Sequence, residues 1–202
     1  MFQGFSQGAI DFLWGIRFNN ERSWFLAHKE EFPKLGLELK VSRIYRDARR
    51  LFGRGPYKDH LWFSLRRRNE AEGAEPSFYF EIAPEYYSYG MGCYDPTPLT
   101  MAKLRARIDR DPKPLERLAR RLEKQSEFVL EGRQYKRPKG DPGPLLFPWY
   151  NCRQVALTSD HNCEGPLFTP ELVDQVLGGF RFLVPYYQYL QTLAGDAPPP
   201  EA

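Results

Sequence analysis

Cationic side chains are concentrated in residues 40–68 of this sequence. The stretch holds ten Lys and Arg residues and only two acids, Asp47 and Asp59, so its local net charge is +8. The whole chain carries +3, so the other residues together carry −5. Guanidinium and ammonium groups held close together repel one another unless an anion lies among them. The sequence therefore predicts an anion-binding surface in this stretch.

Two segments of the stretch alternate between apolar and polar residues, and alternation with period two is typical of β-strands. The segments are residues 42–47 and 61–66. Gly53, Gly55 and Pro56 lie between them and favour a turn. The segments are therefore predicted to pair as a hairpin, whose register decides which side chains share a face.

Such a hairpin would bring a set of candidate ligand-binding side chains together. The set is Arg43, Arg46, Asp47, Arg49, Tyr57, Lys58 and His60. Asp47 is the internal partner for these cations, and a phosphate or carboxylate ligand is the external one. Asp47, Tyr57 and His60 are candidates for orienting a ligand or transferring a proton. A general base needs a tuned pKa and reach to its substrate, which a sequence does not display, so no catalytic residue is assigned and enzymatic activity stays open.

The same stretch resembles a known family. The run R-I-Y-R-D-A-R, followed after six residues by P-Y-K-D-H, is similar to the signature of a widespread, mostly bacterial family, domain of unknown function 2461. Residues 19–29, 78–82, 104–111 and 130–138 are also similar to that family, so the resemblance covers nearly the whole chain. The family has no established reaction, so the resemblance transfers no catalytic residue.

This chain departs from the family pattern in two places. Many members carry Phe-Ser and Asp-Lys where this chain has Arg50-Leu51 and Gly53-Arg54. The segment between Lys29 and Val41 is shorter than usual, which implies a truncated helix.

Apolar periodicity predicts several helices outside the cationic stretch. Ser6 is a candidate N-cap for an N-terminal helix, and a second helix is expected near Glu21. Central helices are predicted over residues 98–111 and 114–125. Thr169 followed by Pro170 predicts the start of a C-terminal helix, which Pro185 should kink or end.

Strand patterns continue after the predicted hairpin. Residues 77–82 alternate strictly, and residues 86–94 follow Pro84-Glu85, a natural turn. Together with the hairpin these segments predict a meander of about four antiparallel strands and a further edge strand. Residues 128–138 are expected to cross the sheet region, and residues 149–157 are predicted to be a further extended segment. The sequence thus predicts an α+β fold in which the sheet packs against N-terminal, central and C-terminal helices.

Length and composition fit one domain over residues 1–195, with a disordered tail over residues 196–202. No apolar run approaches the roughly 20 residues of a membrane span, and no signal peptide is expected. Three cysteines without export signals favour reduced thiols and a cytoplasmic location. The sequence predicts no oligomeric state.

Cysteine and glycine motifs suggest neither a metal site nor a cofactor. Cys152, His161 and Cys163 fit no standard zinc spacing and lack a fourth ligand. Gly90-Met91-Gly92 lacks the third glycine of a dinucleotide fingerprint, and the chain has no P-loop and no nucleophile elbow.

Three functions are compatible with these patterns. The first, which we favour, is binding of a small anionic or phosphorylated ligand by the cationic stretch. The second is association with nucleic acid, since residues 103–124 hold nine cations and four acids, although the chain has no known DNA- or RNA-binding signature. The third is a structural or partner-binding domain whose arginines pair with Asp47, Glu81 and Glu85.

Overall fold

The computed structural model describes residues 37–43, 58–67 and 75–199. Within them six strands form one antiparallel sheet in the order β1-β2-β3-β4-β6-β5. The strands are β1 (Leu37–Val41), β2 (Leu61–Arg67), β3 (Ser77–Ile82), β4 (Tyr86–Gly92), β5 (Val129–Glu131) and β6 (Ala156–Asn162). The helices are α1 (Pro98–Arg110), α2 (Lys113–Glu123), α3 (Phe147–Tyr150) and α4 (Glu171–Gln191). Two short 3-10 helices, Gly165–Phe168 and Thr192–Gly195, complete the described elements. The predicted α+β class and antiparallel sheet are confirmed, with one strand more than expected.

The chain divides into two compact units. The first comprises residues 1–68, 79–89 and 160–179, and the second comprises residues 69–78, 90–159 and 180–202. The predicted limits, a single domain over residues 1–195 and a tail over residues 196–202, stay a prediction.

Stacked aromatic rings form the core of the first unit. Phe80 lies 5.6 Å from Phe63 and 6.1 Å from Tyr87, measured between ring centroids. The imidazole of His161 stacks on Tyr87 at 4.8 Å and on Tyr89 at 5.7 Å. Such ring pairs stabilise a fold by about 0.5–1.5 kcal/mol each beyond the area they bury.

The alternation read from residues 77–82 matches β3 residue for residue, since Phe78, Phe80 and Ile82 are buried and the residues between them are half-buried. Ala83 N–H donates to the carbonyl oxygen of Tyr86 at 2.8 Å and closes the turn into β4. The turn predicted at Pro84-Glu85 therefore connects two neighbouring strands of the sheet.

Helices α1 and α2 build much of the second unit. Thr97 caps α1 by accepting a hydrogen bond from the Thr100 N–H at 3.1 Å, and Pro98 follows at the first helical position. Leu104, Ile108 and Leu115 are almost completely buried, and burying such a side chain contributes about 1.5–3 kcal/mol.

Gly92 allows close approach of β4 and β6 within the second unit. A Cβ atom at Gly92 would lie 2.6 Å from the Val155 carbonyl oxygen and 2.9 Å from the Ala156 Cα. Backbone atoms cannot move aside as a side chain can, so no larger residue fits without shifting a strand. The neighbour that requires this glycine is a strand of the same sheet.

Several predicted boundaries are corrected. The strand that pairs with β2 is Leu37–Val41, whose sequence L-E-L-K-V alternates strictly, and the predicted strand residues 42 and 43 lie beyond its end. Residues 44–47 of the predicted strand lie outside the described residues. Residues 149–157 were expected to be extended, but Trp149 and Tyr150 belong to α3, where Pro148 favours the first turn of a helix. The helices predicted at Ser6 and Glu21 lie outside the described residues.

Helix α4 continues through Pro185. A proline inside a helix lacks the N–H that would bond the carbonyl four residues earlier, and it usually bends or ends the helix. Here the helix is uninterrupted, and Leu183, Tyr186 and Leu190 on either side of the proline are all buried. The predicted start after Thr169 and Pro170 is confirmed.

Candidate functional site

Strands β1 and β2 form an antiparallel pair, in which β1 is the segment before residues 42–47, the segment that the sequence predicted. Val41 pairs with Phe63, and Ser42 N–H donates to the Trp62 carbonyl oxygen at 2.8 Å. The Ser42 hydroxyl in turn accepts from the Trp62 N–H at 3.1 Å. The serine side chain therefore holds the strands together at the point where β1 ends.

This register places two cationic segments at one end of the strand pair. Arg43 lies two residues after Val41, the last residue of β1, and is exposed, while residues 58–60 directly precede β2. The chain leaves this end of the pair at Arg43 and returns to it at Lys58. We call this place the β1–β2 end, defined by Arg43 and residues 58–60.

His60 and Lys58 each contact a neighbouring side chain at the β1–β2 end. His60 Nδ1 lies 3.2 Å from the Asp59 carboxylate, and the two side chains are 34% and 29% exposed. A carboxylate on Nδ1 favours the tautomer protonated there, which leaves Nε2 as the basic nitrogen of a neutral ring. Lys58 Nζ lies 5.6 Å from the centroid of the Trp62 ring, within the range of a cation–π contact. Asp59, not named among the candidates, thus orients one of them.

Three of the seven predicted site residues, Arg43, Lys58 and His60, lie in the described part of the chain. The other four, Arg46, Asp47, Arg49 and Tyr57, lie outside it. Their part in the candidate site stays a prediction.

One acid proposed as an arginine partner has a different neighbour. The Tyr86 hydroxyl donates to the Glu81 carboxylate at 2.5 Å. Burial, together with this bond to a carboxylate, raises the pKa of Tyr86 well above its ordinary value. Within the described residues Glu81 is therefore held by a tyrosine.

Cys152, His161 and Cys163 each contact a protein group. Cys152 Sγ donates to the Trp149 carbonyl oxygen at 3.0 Å, and Cys163 Sγ donates to that of Ala83 at 3.4 Å. His161 Nε2 lies 3.3 Å from the Gln175 amide nitrogen, in addition to its stacking on two tyrosines. Across residues 37–43, 58–67 and 75–199, no three His, Cys, Asp or Glu side chains form a group that could hold a metal ion.

Burial controls the ionisation of the cysteines. It raises the pKa of both Cys93 and Cys152 to about 12. The pKa of Cys163 is also raised, by burial and by the nearby charge of Glu85. These thiols are therefore protonated at neutral pH.

One of the nine cations in residues 103–124 is part of the packing. Arg107 donates from Nε to Asp196 at 2.6 Å, and from Nη1 to the Tyr189 carbonyl oxygen at 2.8 Å and the Thr192 hydroxyl at 2.9 Å. Its guanidinium lies 5.1 Å from the centroid of the Tyr189 ring. Arg107 thus fixes the C-terminal segment of the second unit.

A second group of cations, not singled out from the sequence, surrounds Tyr135. Arg105 Cζ lies 5.6 Å from the centroid of the Tyr135 ring, Lys139 Nζ lies 5.1 Å from it and Arg153 Cζ lies 5.9 Å from it. We call these four residues the Tyr135 cluster. The cations come from α1 and from two loops, so no local pattern could have revealed their convergence.

The fold and these two cationic sites define an α+β protein without a motif that assigns a reaction. No described helix has the length and apolar composition needed to cross a bilayer. Residues 31–189 match the model of a family described as a conserved hypothetical protein, DUF2461. This match covers well over half of the chain, so the protein belongs to the DUF2461 family. The resemblance read from the sequence is thereby confirmed. No curated protein matches the chain.

Proposed function

We propose that this protein binds a small anionic or phosphorylated ligand at the β1–β2 end. The observation that carries the proposal is the register of β1 and β2, which brings Arg43, Lys58 and His60 to one end of the strand pair. The segment that leaves and returns there contains Arg46 and Arg49, the other candidate arginines.

Charge supports an anionic ligand rather than a neutral one. Residues 40–68 carry a net +8, and Asp59, an acid at the β1–β2 end, contacts His60. Arginine forks bind phosphate and carboxylate oxygens in a bidentate manner, and bonds between charged partners are stronger than neutral ones. A ligand with two or more anionic oxygens would offset the repulsion between these cations.

His60 is the described residue at this end best suited to transfer a proton. Its contact with Asp59 orients the ring, and an imidazole has one ring nitrogen that can donate a proton and one that can accept it. Asp47 and Tyr57 complete the set proposed for orienting the ligand. Ligand binding is the proposal, and chemistry on the ligand would require His60 to lie within hydrogen-bond reach of the reacting group.

A thermal-shift screen against nucleotides, sugar phosphates and organic acids tests the proposal. A ligand present at ten times its Kd is expected to raise Tm by about 3–6 °C in a chain of this size. Arg46→Gln and Arg49→Gln should abolish that shift. Arg67→Gln is the matched control, because Arg67 pairs with Leu37 at the opposite end of the same strands.

Two results would contradict the proposal. One is a ligand-induced shift of equal size in wild type and in both arginine variants. The other is binding of mixed oligonucleotides that weakens with salt and is lost when the exposed Arg117, Arg120 and Arg121 are neutralised together. That second result would favour the nucleic-acid function instead.

A further inference from the structure

The Tyr135 cluster lines a cavity in the second unit. The cavity has a volume of about 320 Å³, and its walls contain the three cations and the tyrosine of the cluster. Pro96, Pro98 and Met101 form its apolar wall. Ligand cavities begin near roughly 300 Å³, so this one suits a compact molecule.

The charged groups of this cavity are all hydrogen-bond donors. Arg105, Lys139 and Arg153 form no ion pair within the described residues, and no acid lines the cavity. Asp109, one turn along α1 from Arg105, accepts a bond from the Tyr150 hydroxyl at 3.0 Å. Within the described residues Asp109 forms no ion pair with a cation of the cluster.

One donor of the cluster is buried without an acceptor. Arg105 Nη1 is inaccessible to solvent and has no hydrogen-bond partner within the described structure. Because an unsatisfied buried donor destabilises a fold, such atoms are rare in native proteins and usually indicate a missing ligand, ion or water. An anionic ligand in the cavity would give this donor an acceptor and would offset the charge of the three neighbouring cations.

Backbone and amide bonds hold the cluster in place. Asn151 is only 2% exposed, and its backbone carbonyl oxygen accepts a hydrogen bond from the Tyr135 N–H at 2.9 Å. Its side-chain Oδ1 accepts a hydrogen bond from the Lys139 N–H at 2.6 Å. Its amide nitrogen donates to the Gly140 carbonyl oxygen at 3.0 Å. Arg153 is fixed by its own N–H, which donates to the Arg133 carbonyl oxygen at 2.6 Å. A site whose backbone is already ordered loses little entropy when a ligand binds.

We propose that the Tyr135 cluster is a binding site for a small phosphate monoester. The phosphate dianion offers three acceptor oxygens to the two guanidinium groups and the ammonium, and the apolar wall receives a short organic group. This site uses none of the β1–β2 residues, so it does not depend on the function proposed above.

Isothermal titration of the full chain with inorganic phosphate and with phenyl phosphate tests this site, at constant ionic strength. We expect both probes to bind, with phenyl phosphate tighter because its ring can contact the apolar wall. Lys139→Gln and Arg153→Gln should each weaken binding by tenfold or more, and Arg105→Gln by more than either. The exposed side chains of Lys139 and Arg153 allow those two variants to fold even if Arg105→Gln does not.

Control variants separate the two proposals. Arg110→Gln, an exposed cation on the same helix as Arg105, should leave phosphate affinity unchanged. Arg46→Gln and Arg49→Gln should also leave binding at the cluster unchanged, so either site can fail without the other. Affinity that is unaltered in all three cluster variants would overturn the proposal, as would equal affinity for phenyl phosphate and benzoate.

Discussion

Arg105 and Arg107 lie two residues apart on α1, which turns their side chains to faces about 200° apart. Arg107 donates to a carboxylate, a carbonyl and a hydroxyl, whereas the buried Nη1 of Arg105 has no acceptor among residues 37–43, 58–67 and 75–199. Both guanidinium groups lie over a tyrosine ring, at 5.1 Å and 5.6 Å. The difference teaches that contact with an aromatic ring does not distinguish a structural arginine from a ligand-binding one. The presence of hydrogen-bond acceptors within the protein is what distinguishes the two kinds of arginine.

The largest expected effect comes from removing the paired arginine. Arg107→Leu should lower the free energy of unfolding by about 2–3 kcal/mol, because it removes charged hydrogen bonds and leaves their acceptors without a donor. Urea unfolding measures this loss. Arg110→Leu, on the same helix but exposed, should change the same quantity by less than about 0.5 kcal/mol. An equal loss in the two variants would show that Arg107 is not a structural residue.

Replacing Asp196, the acid that pairs with Arg107, should lower the free energy of unfolding by less than Arg107→Leu does. Asp196→Asn keeps an acceptor in the same place and removes its charge, so we expect a loss of about 1 kcal/mol. In the double variant with Arg107→Leu the losses should not add, because both changes remove one interaction. Additive losses in a urea-unfolding cycle would contradict the pairing.

The pH dependence of stability provides a further test of the pair. The hydrogen bond from Arg107 lowers the pKa of Asp196 in the folded protein. The resulting stabilisation is fully present above the unfolded-state pKa, near about 3.9, and is lost as the pH falls through the lower folded-state value. Wild type should thus exceed Asp196→Asn in stability at neutral pH, and the difference should shrink towards about pH 3. A difference that does not change with pH would contradict this assignment.

The smallest effect on stability is expected at Arg105. Arg105→Leu removes a buried donor without an acceptor, so the free energy of unfolding should change by less than about 0.5 kcal/mol or rise. Urea unfolding in phosphate-free buffer gives this value, with Arg107→Leu measured alongside. A loss as large as that of Arg107→Leu would place Arg105 among the structural residues.

Regular periodicity made the central fold predictable. Residues 77–82 alternate on a strand with one buried face, and α1 shows helical spacing after a capping threonine, so local pattern and packing agree. Segments 42–47 and 149–157 were less regular. Residues 42 and 43 follow Leu37–Val41, a strand with stricter alternation, and Pro148 favours the helical turn that contains Trp149 and Tyr150.

The pairing of strands that defines the β1–β2 end could be predicted because β1 and β2 follow one another along the chain, and ligand binding there stays a prediction. The Tyr135 cluster could not, since Arg105 and Arg153 are 48 positions apart and meet only through the packing of α1 against loops held by Asn151. Charge counting over residues 103–124 treated Arg105 and Arg107 alike. Their different roles depend on acceptors that come from distant parts of the chain.

The burial of the cysteines has a practical consequence. With a pKa of about 12, only about one Cys93 or Cys152 side chain in 10⁵ is a thiolate at pH 7, and the raised pKa of Cys163 slows its reaction as well. The thiolate is the form that attacks maleimide and iodoacetamide reagents. A cysteine introduced at an exposed position, for a fluorescent or spin label, should therefore react ahead of the three native ones without their replacement.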